Sequence, residues 1–409
     1  MKAMGPIPAG YAGVDGELAI AGKPVSQWIA KAGATPLFVY DSARLTDRVA
    51  RLRAAMPERL AIHYAIKANP FGPVLKHMAG LVDGFDIASG GELAMARDAG
   101  FPADRISFAG PGKDDRELEA AITNGVTLNL ESDGEMRRAL AIGDRLGMAP
   151  RLAIRVNPDF DLKGSGMKMG GGAKPFGIDA ERVPALAREI AESGAHWRGF
   201  HIFAGSQALS AEAVIETQAQ TLALAARLAD EAGVALPHCN LGGGFGIPYF
   251  PGDEPLDIGA VGDALGAAFA NLPDVLQDCA FAIELGRWLV GEAGVYLTRV
   301  IDVKDSHGEI FVVVDGGLHH QLAASGNFGT VVRRNYPVAV ANRFGEEPAQ
   351  YAQSVVGRLC TPIDRLAEKV ALPPMAEGDV IAVFCAGAYG ASASPAMFLG
   401  HGPAKEMLV

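Results

Sequence analysis

The chain has 409 residues, 49% of them hydrophobic, enough for two domains with buried cores that need no disulfide or metal staple. Its 36 Lys and Arg against 47 Asp and Glu leave a net charge of −11, which lacks the basic footprint of a phosphate-backbone binder and argues against nucleic acid as a partner. Four Cys without a C-x-x-C pair, no apolar h-region at the N-terminus and no unbroken apolar run of ~18 residues predict a cytoplasmic protein with no membrane span.

Short apolar runs predict strands beginning near Ala61, Gly84, Arg105, Val126, Arg151, Arg198, His238 and Ala280. Between them, ELAMARDAG, DRELEAAITNG and AEAVIETQAQTLALAARLADEAG carry apolar residues three and four apart, a helical spacing. Ser89 and Glu92 fit a capping box. Eight strand-helix alternations predict an α/β fold of the (β/α)8 TIM barrel type, and no G-x-G-x-x-G opens the first helix as an open nucleotide-binding sheet would require. After Arg287, Val-rich runs separated by turns predict a C-terminal β-rich domain. The expected division is an N-terminal segment, 1–34, packing with that domain, a barrel over 35–285, and the β-rich domain over 286–409. Asp159–Gly177 reads either as a lid or as a plain surface loop.

Barrel enzymes build their sites at the C-terminal ends of strands. Lys67 ends the first apolar run, where desolvation would free its amine for Schiff-base formation; pairing with a carboxylate at the rim is the plainer alternative. The seventh run enters Gly242-Gly243-Gly244-Phe245-Gly246, whose backbone N–H groups could converge on an anion or merely make a tight turn. The eighth ends in Glu284-Leu285-Gly286-Arg287, a carboxylate for a cationic ring nitrogen and a guanidinium for an anion, or simply a buried ion pair. Ser206 could add a hydroxyl to the anion site, cap a helix, or both. A Schiff-base lysine, a phosphate cradle and a ring-nitrogen carboxylate together describe a pyridoxal 5'-phosphate site. The His spacings fit no H-x-x-x-H or H-E-x-x-H motif, so no metal is expected.

HYAIKANP, GFDIASGGEL, FAGPGK, NLES, GFHIFAGSQ, NLGGGFG, ELGR, GRLCTPIDRLA and GAYGASAS resemble, in order, the motifs of the fold-type III pyridoxal-phosphate decarboxylases that act on diaminopimelate, ornithine and arginine. The resemblance implies a carboxy-lyase and a homodimer with shared active sites. It makes Lys67 the Schiff-base lysine and Glu284 the partner of the pyridine nitrogen. Ser206, Gly243, Gly244, Phe245, Gly246 and Tyr389 fall to the cofactor's phosphate, and Gly286 to the cofactor site. Arg287 meets phosphate or the substrate carboxylate, and Asp86 and Arg155 support the ring. Cys360 would protonate the carbanion across the dimer, with Thr361, Asp364 and Tyr389 near the substrate.

Three departures bear on chemistry. Phe203 stands where the family carries a histidine on the cofactor face, with His201 two residues earlier; Phe203 can stack but cannot donate a proton. ELGR replaces the family's Glu-Pro-Gly-Arg. Thr361 replaces the acidic residue that holds a distal ammonium, and Ala323 and Asn327 stand where the diaminopimelate type has Arg and Tyr. An unpaired distal charge weakens recognition. Cys360-Thr361-Pro362 followed by Asp364 resembles most the exosortase-associated branch, in which a related enzyme decarboxylates glutamate carried as a thioester on an acyl carrier protein, and a neutral thioester arm would account for the missing distal-charge contacts. Alternatives are a diaminopimelate decarboxylase with an altered pocket, an amino acid racemase, and a catalytically silent regulatory homologue.

Overall fold

The computed structural model describes all residues except 161, 163–165, 169 and 327–332, and describes only the backbone of Met167 and Lys168. The chain divides into two compact units. One comprises Arg48–Gly246 and Leu256–Gly286 and is a closed parallel barrel.

Its strands are β1 (Leu60–Ala65), β2 (Gly84–Ile87), β3 (Ile106–Phe108), β4 (Thr127–Leu130), β5 (Arg151–Asn157), β6 (His196–Ile202), β7 (His238–Gly243) and β8 (Ala280–Leu285). Each pairs in parallel with its chain neighbour, and β8 closes on β1 with Glu284 opposite His63. Every expected barrel strand is present. Helices follow the first seven strands, among them Gly90–Asp98, Asp115–Asn124 and Ala211–Ala232 on the expected periodic segments. Apolar side chains such as Ile62, Tyr64, Phe85, Ile154, Phe200 and Ile283 are buried, as strands covered on both faces require.

The capping box at Ser89 is half formed. Ser89 Oγ accepts from the Glu92 amide, but Glu92 Oε2 accepts from Ala88 rather than from Ser89. The reciprocal box is instead made by Asp114 and Glu117. Ser206 caps nothing: the helix Ala211–Ala232 is capped by Ser210, which accepts from the Ala213 amide.

The second unit comprises Met1–Asp47, Ile247–Pro255 and Arg287–Val409. Its sheet is built on β9 (Gly294–Ser306), β10 (Glu309–Val314), β11 (Val338–Val340), β12 (Gln353–Val356), β13 (Arg365–Val370) and β14 (Val380–Val383). The segment 35–47, expected in the barrel, belongs here because its strand Leu37–Tyr40 pairs with Gly294–Leu297 of β9 and with Lys405–Leu408. Ile247–Pro255 also leaves the barrel for this unit.

Of the stretch 159–177, part lies outside the described residues. Met167–Lys168 pairs antiparallel with Gly205–Ser206, and Ile178–Asp179 just beyond it adds to β5.

Close backbone contact sets the β6–β7 spacing. Gly199 has φ +92°, and a Cβ there would sit 1.9 Å from the His238 carbonyl oxygen. Gly199→Ala should therefore destabilise the protein by about 3 kcal/mol, from left-handed strain plus overpacking. Gly194→Ala, at φ +81° in open space, should cost only about 1 kcal/mol. Urea unfolding of both variants compares them.

Candidate active site

At the C-terminal end of β1 the backbone leaves the strand in a 3-10 turn, Ile66–Ala68, which carries Lys67. The turn is shaped by Tyr64, whose hydroxyl donates to the Asn69 carbonyl, and by Asn69, whose Oδ1 accepts from the Phe71 amide. Gly286 lets the end of β8 lie against it, since a Cβ there would meet Ala68 Cβ at 2.9 Å. Lys67 is exposed, which corrects the expectation of a desolvated amine: the strand stops at Ala65 and the turn lifts the side chain out of the barrel core. Its charge is felt by Glu92, whose carboxyl burial pushes up while the Ala88 amide and Lys67 pull it down, leaving it raised.

Glu284, on β8, is buried in the barrel interior. Its Oε2 lies 3.0 Å from His201 Nε2 and accepts from Asn240 Nδ2 at 3.4 Å. Burial opposes the carboxylate, yet His201, Lys67 and Arg155 outweigh it and hold the group well below the usual carboxylate range. Asn240 turns its other end to the glycine run, its Oδ1 accepting from the Gly242 amide at 2.9 Å.

His201 and Phe203 alternate with Ile202 along β6 and its extension, so they share a face, with His201 deeper and against Glu284. Phe203 is half-buried at the strand end, beside Gly242. Asp86, opposite Ala65 across β1 and β2, is buried with Oδ2 3.3 Å from His63 Nδ1. His63 is raised in turn: burial works against its charge and Asp86 prevails. Arg155 is buried against Glu131 at 2.8 Å, and Glu131 also accepts from the amides of Gly110 and Gly177. Glu131, within NLES, is a hub that sequence reasoning did not single out.

The segments after β6 and β7 come together backbone to backbone. The Ala208 amide donates to Gly244, Gly246 donates to Ala208, and Phe245 bridges Ala208. Gly244 has φ +81°, and a Cβ there would sit 2.2 Å from the Gly205 carbonyl oxygen. The glycine run is therefore both a tight turn and the wall beside Ser206.

In the other unit, Arg287 is half-buried, donates to the Tyr249 hydroxyl at 2.9 Å, and lies over the Tyr249 and Tyr389 rings at 5.3 and 4.9 Å. Burial pushes the Tyr249 hydroxyl up to about 12, so it stays neutral and orients the guanidinium. Tyr249 was not anticipated; its signal was the aromatic three residues past the glycine run. Tyr389 holds φ +55°, in the left-handed region. Cys360 is exposed, on the loop between β12 and β13, and Thr361 beside it is half-buried. Asp364, expected near substrate, is instead 2% exposed with both carboxylate oxygens taken by backbone amides. Ala323 is buried, while Asn327 lies outside the described residues.

Residues 42–291 match the family model described as the pyridoxal binding domain of pyridoxal-dependent decarboxylases. The chain is 36% identical over 380 residues to the L-glutamyl-[BtrI acyl-carrier protein] decarboxylase of Niallia circulans, covering 91% of this chain and 88% of that one. It is 34% identical to a diaminopimelate decarboxylase of Neisseria meningitidis, over 93% and 91% of the two chains. The diaminopimelate decarboxylase of M. jannaschii, solved with L-lysine, superposes with a TM-score of 0.87 at 25% identity, over 98% and 92% of the chains. The chain belongs to the pyridoxal-dependent decarboxylase family. It is a carboxy-lyase that uses pyridoxal 5'-phosphate.

The barrel residues fit that cofactor. Glu284 Oε2 meets His201 and Asn240, and the carboxylate, held ionised, is the acceptor that a ring N–H requires. Asp86 pairs with His63 Nδ1 through both oxygens, Oδ1 at 3.4 Å and Oδ2 at 3.3 Å. The decarboxylase should also show Glu284 in its pH stability. A carboxyl lowered on folding contributes stability that is complete above its ordinary value of 4.5 and is lost as the pH falls through the folded value. From about pH 5 to about pH 3, the apoprotein should lose more urea stability than Glu284→Gln does. Parallel losses would contradict this.

Proposed function

We propose that the enzyme removes the α-carboxylate of an amino acid whose far end is held as a neutral thioester on an acyl carrier protein, glutamyl being the acyl group. It acts as a homodimer in the cytoplasm. The observation that carries the substrate reading is the neutral residue after Cys360. Thr361 offers no counter-charge to a distal ammonium, and buried Ala323 offers none to a distal carboxylate. The name of the Niallia circulans relative supports the same chemistry. The four cysteines form no disulfide, which supports a reducing compartment.

Bound pyridoxal phosphate supplies an aldehyde for an amine and a ring that takes up the electron pair left when CO2 departs. Lys67 would be the amine that holds the cofactor. Glu284, kept ionised, would hold a proton at the ring nitrogen, and Phe203 offers an apolar face on the same side of β6 as His201. Asp86 and Arg155 set the field around the ring. Ser206 and the run Gly243 to Gly246 would bind the phosphate; by resemblance to the family Tyr389 serves the same group, and Arg287, oriented by Tyr249, an anionic oxygen of phosphate or substrate.

Cys360 would give its S–H proton to the substrate's α-carbon once CO2 has left, and the thiolate would recover a proton from solvent. An exposed thiol at a loop tip, beside Ile363 at 51% exposed, supports its use across a homodimer, where a second copy would exclude water from it.

CO2 release from a γ-glutamyl pantetheine thioester should exceed that from meso-diaminopimelate by about 10²-fold or more in kcat/KM. Efficient turnover of diaminopimelate would make this an enzyme with an altered pocket for the free amino acid. Cys360→Ala should keep the cofactor absorption and lose about 10²-fold or more in kcat. Unchanged amine formation would remove Cys360 from the reaction.

A further inference from the structure

Asp364 is four residues past Cys360 and buried, a position that normally demands a cationic partner. It has backbone partners instead. Oδ1 accepts from the Leu318 amide at 2.6 Å and Oδ2 from the Leu359 amide at 2.9 Å. Leu318 follows the Asp315-Gly316-Gly317 turn, and Leu359 immediately precedes Cys360. One carboxylate thus bolts two chain segments, 41 residues apart by number, to each other (359 − 318).

The surroundings are shaped to this carboxylate. A Cβ at Gly317 would sit 2.5 Å from Oδ1, and one at Gly357 would sit 2.2 Å from Oδ2, so a side chain at either position would expel it. The loop is tied at further points: the Gly357 amide donates to the Asp364 carbonyl, Thr361 to Leu359, and Arg358 to Gly316. The Gly317 turn is itself fixed, since Asp315 Oδ1 accepts from Thr298 Oγ1 and the Arg299 amide, while the Gly317 amide donates to the Tyr296 hydroxyl. Cys360 is therefore an exposed thiol on a loop with a fixed base, and the base is Asp364.

We propose that Asp364 is the positioning residue for Cys360, its carboxylate clamping the Leu359 amide to the Gly317 turn so that the thiol is presented at one fixed place. This rests on the reading that Cys360 is the proton donor. Asp364 touches neither substrate nor cofactor and acts only through where it holds the sulfur. A displaced thiol protonates the α-carbon late, and a proton added on the cofactor side instead leaves the amino group on the cofactor.

The test uses the full-length holoenzyme and compares Asp364→Asn, Gly357→Ala, Cys360→Ala and the Cys360→Ala, Asp364→Asn double variant. Asparagine keeps one acceptor and loses the other; Gly357→Ala keeps the carboxylate but pushes it from its seat. Both should lower kcat by about tenfold or more, leave KM and the cofactor spectrum near wild type, and raise the fraction of turnovers that end with an aminated cofactor. Both should also change the rate at which Cys360 is alkylated. The double variant should match Cys360→Ala in that fraction, because Asp364 has nothing left to position.

If Cys360→Ala diverts turnover while Asp364→Asn and Gly357→Ala keep wild-type fidelity and alkylation rate, the inference fails and the reading of Cys360 stands. If Cys360→Ala itself forms amine normally, the reading fails first. Should neither variant fold, amide hydrogen exchange of the wild type decides. Protected Leu318 and Leu359 amides support the clamp, and exchange at the rate of an exposed loop overturns it.

Discussion

A charged carboxylate inside the barrel is the constraint around which the site is arranged. Burying Glu284 alone would cost several kcal/mol, and the fold offsets that cost with His201 at 3.0 Å, Asn240 at 3.4 Å and the fields of Lys67 and Arg155. Each of these comes from a different barrel strand or its end: β6, β7, β1 and β5. Asn240 carries the constraint outward, since the same side chain that donates to Glu284 accepts from Gly242 and so fixes the start of the glycine run. Under the proposed roles, the residue for the ring nitrogen and the run for the phosphate belong to one hydrogen-bonded network.

A second theme is the use of carboxylates to organise backbone. Glu131 gathers Arg155 and the amides of Gly110 and Gly177; Asp315 gathers Thr298 and Arg299; Asp364 gathers Leu318 and Leu359. Charge-assisted bonds to N–H groups fix loops more firmly than neutral ones. Loops beside Lys67 and Cys360, both exposed side chains, are thus fixed through their backbones. Glycine completes the arrangement where backbones must touch, at Gly244 against Gly205 and at Gly357 against Asp364.

The barrel was legible because buried parallel strands read as short apolar runs and their helices as amphipathic repeats, signals local to each segment. The place of Glu284 on the last barrel strand was legible for the same reason. What stayed hidden depends on partners far away in sequence. Lys67 appeared desolvated because a 3-10 turn cannot be told from one more strand residue. Asp364 looked like a substrate group because nothing in CTPID reveals that its acceptors' donors lie at Leu318 and Leu359. The pairing of Leu37–Tyr40 with β9 joins segments more than 250 residues apart, which periodicity cannot report.

Nitrogen-15 NMR of the holoenzyme, reconstituted with ring-labelled cofactor, would read the protonation of the pyridine nitrogen directly. The buried, ionised Glu284 should keep that nitrogen protonated throughout the range in which the enzyme is folded, and Glu284→Gln should release the proton at neutral pH. A neutral ring nitrogen in the wild type, or an equally protonated one in Glu284→Gln, would contradict the central place given to this carboxylate.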